Sequence, residues 1–270
     1  MKNWTLALSA LSILSGLSGA AHADDALKAA VAGSQRTPTF VARDVWRHPV
    51  ETLSFMGIKP DMTVVEISPG TGWYTEILAP YLRDKGQLVL AASDPNSSSE
   101  YARRSAERLK KKLDAQPAIY DKVKLGVFEP PAKLSYAPTG SVDLVLTFRN
   151  VHNWAAEGES VTKAVFQSMY DALKPGGVLG VVDHRLPPDR PLDPKFSTGY
   201  VPVAYVVRIA EGVGFQLAAS SEVNANPKDT ADHPGGVWAL PPTYTHKELD
   251  RARYAAIGES DRMTLRFMKP

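Results

Sequence analysis

The sequence predicts an α/β fold: a mostly parallel, seven-stranded sheet wound on both faces by helices. Three observations carry that expectation. Short, nearly all-apolar runs recur along the chain, as strands buried on both faces require. Amphipathic helical stretches separate them, so strand and helix alternate. The first apolar run sits in "VVEISPGTGWYTEIL" (residues 64–78), where it meets an acid, a glycine turn and then a helix. Ligands of such sheets bind beyond the carboxyl ends of the strands.

The elements follow in order. Residues 24–60 read as helical, with Pro49 at an early helical position and Gly57 ending the pattern. "MTVVEI" is the first strand. "GWYTEILAPYLRD" is a helix with Ile77, Leu78, Tyr81 and Leu82 on one face. "QLVLAAS" is the second strand, and residues 97–114 form a strongly charged helix. "VKLGVFE" and "VDLVLTF" are strands three and four. "VTKAVFQSMYDAL" is a helix closed by the turn Lys174-Pro175-Gly176-Gly177, and "VLGVVDH" is strand five. "VPVAYVVRIAEGVGF" is another helix. "QLAASSEV" and "RMTLRFM" are the final strands, separated by a loop-rich insertion at about 224–262. A loop that long is more often functional than idle. It is expected either to close over the crevice or to cover a sheet edge. The chain shows no internal repeat.

The chain carries 31 basic and 29 acidic residues. That balance argues against a nucleic-acid binder whose affinity rests on phosphate neutralisation. The basic run Arg103, Arg104, Arg108, Lys110, Lys111 and Lys112 reads as a solvated helix face. With no cysteine there is no disulfide, thiolate nucleophile or Cys-type zinc site. At the start, Lys2 precedes an apolar run from Trp4 to Leu17 and then Ala21-His22-Ala23. This is the pattern of a secretory signal peptide over residues 1–23. The run is too short for a comfortable membrane span, and no later segment reaches that length. The expected mature chain begins at Asp24, periplasmic or secreted, with a helical segment to residue 60 and one domain over 61–270.

The glycine turn selects among nucleotide-type cofactors. A dinucleotide fingerprint needs a third glycine, and here Trp73-Tyr74-Thr75 follows Gly72. A P-loop needs Gly-Lys-Ser/Thr, which is missing. Glu66 ends the first strand four residues before Gly70. A carboxylate there can pair with an ammonium lying over the turn, so a cofactor with an amino-acid end fits better than one with a diphosphate.

Taken in order, "VVEISPGTG", an acid near the end of strand two, "VDLVLTFRNVHNW" and "LKPGGVLGVVDH" resemble the motifs of class I S-adenosylmethionine-dependent methyltransferases. The resemblance covers about residues 60–223 plus the last strand. "ARDVWRHPVETLSFMGIKPDMTVVEISPGTGWYTEILAPYL" and "NPKD" further resemble a family of predicted bacterial methyltransferases that carry signal peptides. The resemblance implies a Rossmann-like sheet with an antiparallel last strand, and S-adenosylmethionine as cofactor. It places Glu66, Ser68, Gly70 and Gly72 along the methionine part, with Tyr74 flanking it. Asp94 would accept the ribose hydroxyls, and Glu129 would meet the adenine amino group. Arg43, on a helix before the first strand, would meet the cofactor carboxylate. Arg47 and His48 lie beside it.

Methyl transfer is an in-line displacement, so alignment and exclusion of water do most of the work. A base is needed only when the acceptor arrives protonated. In "RNVHNW", Asn150 is expected to orient the acceptor and His152 to take its proton. Asp183 and His184, ending strand five, and Tyr200, in the next connection, approach the same crevice. The acceptor is expected to be a small molecule or an envelope component. No metal site is expected: His152, His184, His233 and His246 lie in separate segments with no close ligand pair. S-adenosylmethionine is made in the cytoplasm, which conflicts with export. Three readings stay open: an exported methyltransferase, a binding protein without turnover on the same fold, and a metal-assisted enzyme using the same crevice.

Overall fold

The computed structural model describes residues 25–270, so the expected signal peptide lies outside the described residues. The described chain begins with α1 (residues 25–31), α2 (Pro38–Val41), α3 (Asp44–Arg47) and α4 (Pro49–Phe55). Strand and helix then alternate: β1 (Thr63–Ile67), α5 (Thr75–Leu82), β2 (Gln87–Ala92), α6 (Glu100–Ala115), α7 (Pro117–Tyr120) and β3 (Lys124–Val127). There follow β4 (Val142–Phe148), α8 (Val151–Ala156), α9 (Glu159–Ala172), β5 (Leu173–His184), α10 (Val203–Gly212) and β6 (Gln216–Ser221). The insertion holds a 3-10 turn at Gly236–Ala239 and α11 (Arg251–Ile257), and β7 (Arg262–Met268) closes the chain.

One seven-stranded sheet runs in the order β3-β2-β1-β4-β5-β7-β6. The first five strands pair in parallel. Only β7, slotted between β5 and β6, runs antiparallel to its neighbours. The chain leaves the β3 edge and restarts at β4 beside β1. That reversal opens a crevice at the carboxyl ends of β1 and β4.

Each strand feeds two cores because side chains alternate across the sheet. In β1, Val65 and Ile67 pack with Phe166 and Met169 of α9 and Val206 and Ile209 of α10. Val64 faces the other side, with Leu53 of α4 and Ile77, Leu78 and Leu82 of α5. Alternation puts Glu66 on the Val64 side, towards the N-terminal helices.

Glu76 of α5 ties those helices down. Its buried carboxylate accepts from the Thr37 N–H at 2.8 Å and the Thr37 hydroxyl at 2.6 Å. Lys112 pairs with the same group, so one member of the expected solvated basic face has a buried partner. Trp73 then lies between two guanidiniums, Arg36 at 4.9 Å and Arg47 at 4.6 Å from its ring centroid. Such stacking is favourable when partly desolvated.

Three local expectations change. The helix expected across residues 42–58 breaks at His48, which has φ 40°. A following proline disfavours the right-handed helical region, and Pro49 restarts the helix at its first position. The helix after the glycine turn starts only at Thr75. The Lys174–Gly177 turn is drawn into β5: the Gly176 N–H donates to Lys269 O at 2.8 Å, and the Lys269 N–H donates to Gly177 O at 2.9 Å.

Candidate cofactor and acceptor site

The chain turns over the end of β1 through three left-handed residues, Ser68 (φ 50°), Gly70 (φ 59°) and Gly72 (φ 79°). Left-handed backbone is costly for Ser68, and strain of that kind clusters at ligand sites. A Cβ built on Gly70 meets nothing within 4 Å, because it points into open space.

That space has two lobes. The larger, about 530 Å³, is lined by Ser68, Gly70, Ser93, Phe128, Glu129 and Trp154 among others. The smaller, about 230 Å³, is lined by Glu66, Tyr74, Arg43, Arg47 and Arg149 among others. Ser68, Pro69, Gly70 and Asn150 border both.

Glu129 lines the larger lobe and accepts a hydrogen bond from the Ser97 hydroxyl. Asp94 does not line it. Its carboxylate is taken by Lys133 and by the Asn96 N–H, at 2.7 Å for the latter, which together hold it below the usual carboxylate range. Ser93 lines the lobe instead. Gly72 is also displaced from its expected role and borders neither lobe. A Cβ there would meet the Lys112 side chain at 3.2 Å, so Gly72 shapes the turn from behind.

The smaller lobe is electrostatically unusual. Burial pushes Glu66 up to about 7, opposed by the Thr75 hydroxyl, which donates to it at 2.7 Å, and by Lys112. Tyr74 stacks on Phe148 with centroids 3.5 Å apart and forms the wall. Arg43 Nε pairs with Glu259 at 2.5 Å, Arg47 Nε at 3.2 Å and Arg262 Nη1 at 3.0 Å. Burial alone would raise Glu259, but Arg47, Arg262, Arg43 and Arg149 outweigh it and hold the carboxyl at about 2. Burial lowers Arg149 to about 10. One carboxylate does not satisfy this cluster: Arg43 Nη2 and Arg47 Nη2 are buried without a hydrogen-bond partner.

Asn150, which borders both lobes, donates its amide to Ile67 O and Thr147 Oγ1, both at 3.1 Å. These bonds tie β4 to β1 and spend the donors expected to orient an acceptor. His152 comes next. Its Nδ1 lies 3.0 Å from Asp183 Oδ1, and its backbone N–H donates to Oδ2 at 3.1 Å. Asp183 also accepts from the His184 N–H at 2.7 Å. Burial would raise Asp183, yet His152 and His184 hold it below the usual range. Against an ionised Asp183, the neutral His152 ring carries its proton on Nδ1 and presents Nε2 as the lone-pair acceptor.

His184 sits 5.2 Å from the His152 ring, with Nδ1 on the Ser260 hydroxyl at 2.5 Å. Burial drives its pKa well below the usual value. Trp238 of the insertion packs 5.4 Å from His152. Tyr200 does not serve as a base: its hydroxyl donates to Asp229 at 2.8 Å, and burial with that carboxylate raises its pKa steeply.

Among the described residues, His152, Asp183 and His184 bring their ligand atoms within 4.8 Å of one another, a juxtaposition the separate segments did not reveal. Asp183 already accepts three N–H groups, and Arg149 and Arg262 bring positive charge to bear on His184. Both features favour an ordered imidazole over a bound cation.

Sequence reasoning missed Arg149, Glu259 and Arg262. Arg149 directly follows β4, where a site residue belongs, and that position was the available signal. Glu259 has no local signature.

No family model matches the chain, and no curated protein sequence does. Solved structures do. One is a SAM-dependent methyltransferase from Aquifex aeolicus, 15% identical, with a TM-score of 0.55 over 92% of this chain and 98% of that one. Another is the [4+2]-cyclase SpnF, 16% identical, with a TM-score of 0.52 over 94% of this chain and 95% of that one. The protein has the Rossmann-like class I methyltransferase fold, mostly parallel with an antiparallel β7.

Proposed function

We propose that the protein is an exported S-adenosylmethionine-dependent methyltransferase acting on a small-molecule or envelope-component acceptor. One observation carries the cofactor reading: the small lobe is lined by Arg43 and Arg47, each with a buried guanidinium nitrogen that has no partner, and by Glu66, whose carboxyl burial raises. Those groups complement the carboxylate and ammonium of an amino-acid end. The larger lobe, with Phe128 and Trp154 for an apolar ring and Ser93 and Glu129 for polar edges, suits the nucleoside. S-adenosylmethionine, when bound, supplies an electrophilic methyl group on a sulfonium. The chain's own work is to grip both ends, exclude water and receive a proton at His152 Nε2.

Calorimetry with S-adenosylmethionine and S-adenosylhomocysteine tests this. Gly70→Val and Glu66→Ala should each abolish binding with circular dichroism unchanged. The first fills the junction of the lobes, and the second removes the ammonium's partner. Unchanged affinity in both variants would sink the cofactor reading.

The raised Glu66 adds a pH signature. Its folded value, about 7, lies above the ordinary glutamate value of 4.5, so the empty pocket favours the protonated acid up to about pH 7. A ligand ammonium favours the ionised form, so binding below that pH releases a proton. Affinity should therefore rise up to about tenfold per pH unit as pH approaches about 7, and flatten above it. Glu259, at about 2, and Arg149, at about 10, titrate outside that window. Calorimetry in buffers of different ionisation heats reads the released proton directly, and a flat profile would remove Glu66 from the ammonium site.

The fold does not carry turnover by itself. SpnF is a cyclase by name on the same fold, which supports a second reading in which this pocket serves binding alone or another reaction. Labelled methyl transfer into periplasmic or envelope extracts favours the first reading. Bound metal on elemental analysis, with activity lost on chelation, would favour a metal-assisted reaction at His152, Asp183 and His184.

Export rests on the N-terminal pattern and on the likeness to signal-peptide-bearing predicted methyltransferases. Protein from the native host should begin at Asp24. An intact Met1 on soluble cytoplasmic protein would remove export and, with it, the conflict over cofactor supply.

A further inference from the structure

The sequence offers two uses for the insertion, a lid or an edge cover. Its buried hydrogen bonds point to a third. Asn226 and Asp229, the first and last residues of "NPKD", grip the turn between α11 and β7 from both sides. Asn226 Nδ2 donates to Ile257 O at 2.9 Å and to Glu259 O at 2.7 Å, and its backbone N–H donates to Asp261 Oδ1 at 2.8 Å. Asp229 accepts from the Asp261 N–H at 2.8 Å, the Tyr200 hydroxyl and the Ala231 N–H at 3.0 Å, with His233 Nε2 at 2.9 Å. Four partners saturate one buried carboxylate.

The turn so held carries Glu259 and is seated on α3. Gly258 has φ 88°, and a Cβ there would lie 2.3 Å from the Trp46 ring. Arg262, the next residue but two after Glu259, donates to Trp46 O. Trp46 and Arg47 are neighbours on α3, and Arg43 is its N-cap. The turn thus meets α3 twice, through backbone packing at Trp46 and through Glu259 on the two arginines. Glu259 pairs with both guanidiniums at once, whereas Trp73 stacks on Arg47 and not on Arg43 among the described contacts.

We infer that Asn226 and Asp229 are positioning residues for the small lobe: by fixing the turn at residues 257–261 they set Glu259, and through it the free guanidinium edges of Arg43 and Arg47 that receive a ligand carboxylate. This rests on the cofactor reading above. The insertion is then part of the cofactor pocket. Because Asp229 also holds Tyr200, whose ring lies 6.5 Å from His184, the same network joins that pocket to the acceptor side.

Two ligands separate positioning from simple support. S-adenosylhomocysteine has the amino-acid end, whereas methylthioadenosine has the nucleoside and thioether without it. Affinities for both are measured by calorimetry on the full chain, as wild type, Asn226→Ala and Asp229→Asn. The second substitution is nearly isosteric and guards against misfolding of the first. Wild type should prefer S-adenosylhomocysteine. In each variant that preference should shrink about tenfold, a loss of about 1.4 kcal/mol, with methylthioadenosine affinity unchanged. A preserved preference, or an equal loss for both ligands, in a folded Asp229→Asn protein overturns the inference. Wild type binding neither ligand overturns the cofactor reading itself, and this inference with it.

Discussion

His152→Ala is expected to slow methyl transfer by about 10²–10⁴-fold, the usual worth of general acid–base catalysis, while S-adenosylmethionine affinity stays nearly intact. The reason is geometric. His152 is held at Nδ1 by Asp183, 3.0 Å away, and is free to act only through Nε2. Asp183→Asn should give a comparable loss, because an amide no longer demands a proton on Nδ1 and the working tautomer is no longer enforced. Asn150→Ala should also slow turnover. The structure changes the reason: its amide braces β4 against β1, so the loss comes through the shape of the crevice. Single-turnover assays with labelled cofactor separate chemistry from binding. Full-rate transfer by His152→Ala would move the base to His184, since the Tyr200 hydroxyl is committed to Asp229.

The second large effect is on stability. Glu259→Ala leaves the buried Arg47 and Arg262, and the partly exposed Arg43, around a missing partner. Removing one side of a buried pair costs about 3–5 kcal/mol. For a chain of this size that is a fall in Tm on the order of 10 °C. The sign of the pH dependence follows from the depressed carboxyl. A glutamate ordinarily titrates at 4.5, and Glu259 is held at about 2 in the folded protein. Its contribution is therefore fully present above 4.5 and is lost as pH falls through about 2. Thermal melts at descending pH should show wild type losing stability in that window and Glu259→Gln losing less. A variant with wild-type Tm and wild-type acid sensitivity would show that solvent, and not Glu259, satisfies the arginines.

The two effects arise at two buried clusters, and the chain reaches them in different ways. His152 is two residues beyond Asn150, on the helix that follows a strand the apolar pattern marks plainly. Glu259 comes from the far end of an insertion that no periodicity describes.

The sequence alone determined the sheet, the glycine turn and the position of Glu66, because each is a local matter. Apolar runs, turn residues and a carboxylate four residues before a glycine are readable within a dozen positions. Side-chain commitments were decided only by the tertiary structure. Asp94 turned to Lys133, so the polar edge of the larger lobe passed to Ser93. Gly72 went behind the turn, and the Lys174–Gly177 turn joined β5 because Lys269 was there to pair with it. The arginine cluster is the plainest case. Arg43 and Glu259 are 216 residues apart and meet only after the sheet has brought β7 beside β5 and the insertion has seated its turn on Trp46. A charge pair at that separation leaves no mark on local periodicity, because its energy comes from burial and distance, which exist only once the chain has folded.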